Sequence, residues 1–537
     1  MTNYQEVRAA LLAREEIALL DVREEDPFAQ AHPLFAANLP LSRLELDAWQ
    51  RIPRRDTRIV VYDNAGDDGE GEGLAADAAE RLRALGYTDV SLLDGGLSGW
   101  RDAGGELFRD VNVPSKSFGE LVESQRHTPS LAAEEVQALL DAGTDMVVLD
   151  ARRFDEYNTM SIPSAISVPG AELVLRARTL APNPATRVIV NCAGRTRSII
   201  GTQSLVNAGL PNPVAALRNG TIGWTLAGQA LDHGQTRRAG LVDEATRRGA
   251  LARAKQVANA AGARRIALRD LATLEAPGRT LYRFDVRHPE EYAGGHLPGF
   301  SSAPGGQLVQ ETDHFAPVRG ARLALVDDDG VRASMTASWL AQMGWDVYVV
   351  DGAQPKDFCD THSLKQHPVA PGSHMVTPAQ LFQWRADGGD ATLVVDLGPS
   401  IRYVKQHVPG AWFVLRSQLA TALETLPPHE RIVLTDETGE LSAFAMHDDS
   451  LQHEAEVWSL EGGNAAWIAA GHHTEKGEAR LASPRIDRYR RPYEGTDNPR
   501  EAMQAYLDWE FGLVAQLGRD GTHGFKVLSA EAIAAAG

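Results

Sequence analysis

Four times along the chain an apolar run ends in aspartate, and in three of the four an arginine stands two places on. The runs are LLDVR (Asp21, Arg23), VVLDAR (Asp150, Arg152), YRFDVR (Asp285, Arg287) and LVVDLG (Asp396, Gly398). A second short run, rich in β-branched residues, follows each: RIVVYD, RVIVNC, RLALVD and RIVLTD. From the first aspartate to the residue that ends the second run is 42 positions in three copies (Asp21 to Asp63, Asp150 to Cys192, Asp285 to Asp327) and 40 in the last (Asp396 to Asp436). A helix-like stretch, a third apolar run, a glycine-bearing turn and an aromatic close each copy, at Trp100, Trp224, Phe358 and Trp467. Three landmarks kept in register four times are an internal repeat, and a repeat decides the architecture before any single element does.

Short buried strands alternating with helical patterns imply an α/β fold: four tandem units, each a small parallel sheet with helices on both faces. Apolar residues three and four apart predict helices over 74–87 and 332–345. The units are expected at 1–112, 127–235, 263–370 and 374–485, with a charged, Ala-rich helical linker over 236–262 and a tail over 486–537. The amphipathic stretch 502–517 reads either as a docking or dimerisation helix, which would make the protein a homodimer, or as a helix covering its own domain.

Lys plus Arg number 53 against 72 Asp plus Glu, a net charge of −19. That surface repels nucleic acid and anionic lipid, so neither is an expected partner. The longest charge-free run, 198–217, is broken by Gln203, Asn207, Pro211, Asn212 and Pro213, so no membrane span is expected. Two cysteines in 537 residues cannot build a disulfide framework. With an N-terminus charged throughout, this points to a reducing, cytoplasmic setting.

Ligands of parallel α/β sheets bind beyond the carboxyl ends of the strands, so the loop after the second run carries the chemistry. In the second unit that loop is Cys192, Ala193, Gly194, Arg195, Thr196, Arg197 and Ser198, opening a helix. Backbone N–H groups, the helix dipole and two arginines should stabilise a thiolate, lower the Cys192 pKa and cradle an anion. Asp150 and Arg152 should form an ion pair beneath the loop, with Arg152 also a candidate for the pocket wall. The other units carry Asp63, Asp327 and Asp436 at the cysteine position, the first within a long acidic loop. A carboxylate cannot supply the thiolate nucleophile of the second unit, so these units should be inactive, their aspartates solvated or capping helices. Cys359, in KDFCDTH, reads as a structural thiol or as a second thiol that exchanges with Cys192, by group transfer or by resolving it as a disulfide. The histidines lack zinc-ligand spacing and no phosphate loop or dinucleotide fingerprint occurs, so no metal or cofactor is called for.

The Asp-x-Arg openings, the Gly-His-Leu-Pro-Gly of residues 295–299, the closing Gly-Gly-x-x-x-Trp and the loop NCAGRTRS together resemble the rhodanese family. The resemblance covers nearly the whole chain as four tandem rhodanese-like domains with one active-site cysteine. It implies a thiosulfate sulfurtransferase: the Cys192 thiolate takes sulfane sulfur from a small anionic donor as a persulfide and passes it to cyanide or a thiol. Residues 193–198 would bind the donor, Arg195 and Arg197 neutralising its charge. A non-enzymatic persulfide carrier loaded by a partner is the alternative. Rhodanese-like phosphatases and arsenate reductases use Cys-x5-Arg; here arginine is the fifth residue after Cys192, the shorter loop.

Overall fold

Each copy of the repeat folds into its own parallel sheet in a computed structural model that describes residues 1–64, 73–362, 367–372, 374–388, 391–451 and 456–536. The acidic stretch 65–72 of the first loop lies outside the described residues. In the second unit the strand order is Ser130–Leu131, Val214–Leu217, Arg187–Asn191, Met146–Asp150, Ile166–Ser167, with every pair parallel. The third and fourth units repeat this five-stranded order. The first has four strands, and a single bridge from Thr2 to Leu93 stands where the fifth would be. Register accounts for the constant spacing. Asp21, Asp150, Asp285 and Asp396 pair with Tyr62, Asn191, Val326 and Thr435, each the residue just before the loop.

Alternate residues along each strand feed two apolar layers. In the second unit Leu149, Val188 and Val190 face one core, and Val148, Ile189 and Trp224 the other. The expected helices run Leu74–Ala84 and Val331–Gln342, shorter than the apolar pattern. Gly86 and Gly344 adopt positive φ (+94° and +86°) and end them, and the apolar residues beyond, Tyr87 and Trp345, turn into the core. The units do not stand apart. One cluster joins Leu20 and Val61 of the first sheet, Leu325 of the third, Phe118 of helix Val113–Arg126 and Leu513 of the tail. The linker helix Glu244–Ala260 buries Ala250, Ala254 and Val257 in the second unit's core, beside Val331 and Met335 of the third. The fourth unit is tied to the first by charge: Arg416 bridges Glu45 (2.8 Å) and its own unit's Asp448 (2.7 Å).

The repeat's sequence landmarks are local bonding devices. In Asp21–Arg23, Asp150–Arg152 and Asp285–Arg287 the guanidinium grips the carboxylate at the strand end and donates onward to the carbonyl eight residues after the arginine's own position. The indoles of Trp100, Trp224 and Trp467 each donate to the carbonyl six residues on. The fourth unit lacks the arginine. Asp396 is buried with, among the described residues, Gly398 N and Asn464 Nδ2 as its donors, and burial pushes its carboxyl up to about 6. A raised folded-state pKa means that the native state binds this proton more tightly than the unfolded chain, so stability is lost as pH rises from about 4 through 6. About two units above an ordinary aspartate is a loss of about 3 kcal/mol. Asp396→Asn is therefore expected to gain stability over the native chain as pH rises from 4 to 7, measured as the pH-dependent difference in their denaturant midpoints. A constant difference across that range would refute the assignment.

Candidate active site

Cys192 follows directly on Arg187–Asn191, the central strand of its sheet, and the helix Thr196–Asn207 opens four residues later. The carbonyls of Cys192 and Ala193 are tied down by the backbone N–H groups of Thr221 (2.9 Å) and Ile222 (3.0 Å). This close approach explains the closing glycine turn: a Cβ on Gly220, at φ +55°, would lie 2.3 Å from the Cys192 carbonyl oxygen. Beneath the loop Arg152 pairs with Asp150 (2.8 Å), which also accepts from Asn191 Nδ2 (3.0 Å). Arg152 lines a neighbouring cavity as well.

Two expectations about this loop need correction. The Cys192 thiol is 1% exposed, and burial pushes its pKa up, above the ordinary thiol range. Arg197 and the Ser198 backbone N–H and side chain pull it the other way without overcoming desolvation. The arginines are also not free charges. Arg195 forms a fork with Glu120 (2.7 and 2.9 Å), pairs with Glu123 and stacks on Phe511, tying the loop to helix Val113–Arg126. Arg197 makes two hydrogen bonds to Glu156 (2.7 and 2.8 Å), holding that carboxyl down at about 2 despite its burial. Ser198 Oγ donates to the Arg195 carbonyl (2.8 Å), whereas the Thr196 hydroxyl is buried without a partner. Ala193 and Gly194 border the same space as the thiol.

That space, about 20 Å³, is closed by residues from elsewhere in the chain: Lys116, Gln310, Tyr493, Tyr506 and Glu510. Gln310 comes from the third unit, Lys116 from the helix after the first, the rest from the tail. None was legible beforehand, because no local pattern records which distant segment covers a strand end. The tail helix Arg500–Phe511 packs Met503, Tyr506 and Leu507 on Ile222 of the second unit. Its apolar face is thus docked on the second unit and does not cover its own domain. Tyr506 lies so close that a Cβ on Gly194 would meet its ring at 3.2 Å. Arg197, Gln310 and Tyr493 also border a larger cavity of about 490 Å³ between the first three units and the tail.

In the other loops the aspartate fills the cradle with its own carboxylate. Asp327 accepts from Gly330 N and Ala333 N (both 2.8 Å), Asp436 from Thr438 N, Gly439 N and Ser442 N, and Asp63 from Ala75 N (3.0 Å). All three are buried, so they cap and are not solvated. The third loop's Arg332 is held by four carboxylates, Glu172, Glu291, Asp328 and Asp329. Cys359 is exposed on the third unit, whereas Cys192 is buried. Cys359→Ser is expected to change the sulfur-transfer rate less than about threefold, under about 0.6 kcal/mol of barrier. A collapse of turnover at unchanged stability would make it part of the pathway.

The rhodanese-like domain model matches residues 4–103, 132–227, 271–355 and 377–470. A crystal structure of a thiosulfate sulfurtransferase from Pseudomonas aeruginosa superposes with a TM-score of 0.96 at 66% identity, covering 98% of this chain and 99% of that one. The thiosulfate sulfurtransferase of Azotobacter vinelandii is 24% identical over 209 residues, 35% of this chain and 74% of that protein. An uncharacterized protein of Synechocystis is 30% identical over 104 residues, 19% of this chain and 54% of that protein. No described helix is long and apolar enough to cross a membrane. With three sheets of one five-stranded order, a fourth that keeps four of those strands, and a family match over most of its length, the chain belongs to the rhodanese family.

Proposed function

We propose that this protein is a thiosulfate sulfurtransferase with one working site, at Cys192. The observation that carries the proposal is the contrast among the four loops: three place a carboxylate in the backbone cradle at the end of the central strand, and one places a thiol. The 66% identity to the Pseudomonas thiosulfate sulfurtransferase supports the same donor. The 20 Å³ space holds about one water-sized group, enough for a sulfane sulfur but not a whole thiosulfate. The outer sulfur of the donor would enter it, with the sulfonate in the larger cavity against Arg197. The thiolate attacks that sulfur, the S–S bond of thiosulfate breaks, and sulfite leaves with the bonding pair. Cyanide or a thiol then removes the sulfur from the persulfide, a ping-pong sequence. Loading by a partner protein is disfavoured by a thiol only 1% exposed. Mixing with thiosulfate and no acceptor is expected to release a burst of one sulfite per chain; no burst would contradict the proposal.

A further inference from the structure

Glu510 is fully buried, yet only one of its oxygens is satisfied. Oε1 accepts from the Tyr506 hydroxyl (2.9 Å), whereas Oε2 has no hydrogen-bond partner among the described residues. That orphan oxygen faces the cysteine loop: a Cβ on Gly194 would lie 3.4 Å from it, and Glu510 and Cys192 border the same 20 Å³ space. Carboxyl and thiol thus share one small space, with room in it for about one water. A buried carboxylate left half unpaired is costly; a carboxyl that carries a proton and can donate it is not.

We infer that Glu510 is the proton donor to Cys192 sulfur when the persulfide is discharged, an inference that rests on the sulfurtransferase function proposed above. Burial of the thiol makes its thiolate a basic, poor leaving group, so discharge needs an acid at the sulfur. On charging, the Cys192 thiol loses its proton and attacks the donor, which gives the persulfide anion and hydrogensulfite. On discharge, the acceptor thiolate bonds to the outer sulfur and the inner S–S bond breaks. Its electron pair goes to Cys192 Sγ, which takes the Glu510 proton. The proton shed by the acceptor thiol on ionising restores Glu510, and the site returns to its starting state.

The groups facing Glu510 come from every element around it, including Tyr493 of the tail segment before its helix. Tyr506 donates from its own helix. Glu120 and Lys116 approach from helix Val113–Arg126, Lys116 being held by Asp110 (2.6 Å), and Arg195 and Cys192 belong to the loop. Burial and Glu120 push the carboxyl up to about 8, against Lys116, the Tyr506 hydroxyl and Arg195. The acid is therefore present below pH 8 and lost above it.

The test separates the two half-reactions of the full-length protein, with persulfide loaded either from thiosulfate or from inorganic polysulfide. Glu510→Gln is expected to slow single-turnover discharge to dithiothreitol at pH 7 by ten- to a hundredfold, while sulfite release from thiosulfate stays within about threefold. Divided by the ionised fraction of dithiothreitol, the native rate of discharge should fall as pH rises through 8, and that limb should vanish in Glu510→Gln. Tyr506→Phe, which removes the donor to Oε1, should move the limb to higher pH. Equal losses in both half-reactions, or an unchanged discharge rate and limb, would overturn the inference. Discharge after polysulfide loading reads Glu510 even where thiosulfate fails as donor, and failure of the donor proposal shows separately as a missing sulfite burst in the native chain.

Discussion

Cys192→Ser is expected to lose more than about a thousandfold in thiosulfate-driven sulfur transfer, at least about 4 kcal/mol of barrier. Serine fits the same buried position at the end of Arg187–Asn191, and its hydroxyl can accept from the loop N–H groups that serve the sulfur. The fold should therefore stay intact, with a stability change within about 1–2 kcal/mol. Oxygen cannot carry a transferable sulfane sulfur, so no first half-reaction takes place. The three remaining loops cannot substitute, because Asp63, Asp327 and Asp436 hold carboxylates in the cradle. Thiosulfate:cyanide turnover beside a denaturation curve checks both halves. More than a few per cent of native activity in the variant would move the site elsewhere.

Removing the Arg197 charge should have the next largest effect, and it divides into two measurable parts. Arg197→Met leaves Glu156 half-buried without its cation, destabilising the chain by about 2 kcal/mol, less than a fully buried pair because Glu156 borders the large cavity. It also removes the one loop cation placed between the sulfur space and that cavity, and is expected to slow sulfite release from thiosulfate about a hundredfold. Discharge to a thiol should fall less than about fivefold. The double variant Arg197→Met with Glu156→Gln is expected to regain most of the stability and none of the donor rate. Recovery of both together would mean that Arg197 only supports the fold. Arg195, forked by Glu120 and stacked on Phe511, is expected to act chiefly on stability.

The repeat was legible because its landmarks are short-range: an aspartate at a strand end with its arginine two residues on, an aromatic whose indole reaches a carbonyl six residues on, a glycine that lets one turn touch the next loop. Such devices leave fixed spacings in the chain. The loop from Cys192 to Ser198 was legible for the same reason. Its electrostatics were not. Glu120, Glu123 and Glu156, which bind the two arginines, and the segments that bury the thiol lie 36 to more than 300 residues away in sequence. The basic, thiolate-stabilising loop expected from neighbouring residues is thus a neutralised, buried one. The tail helix shows the same limit. Its amphipathic pattern left open a docking helix or a cover for its own domain, and only the fold shows that it packs on the second unit and delivers Tyr506 and Glu510 to the space beside Cys192.

Intact mass after brief exposure to thiosulfate without acceptor, followed by peptide mapping, decides whether Cys192 carries the transferred sulfur. The account expects one added sulfur atom per chain, carried by the peptide containing Cys192 and removed by cyanide. No added sulfur, or a sulfur carried by Cys359 instead, would contradict it.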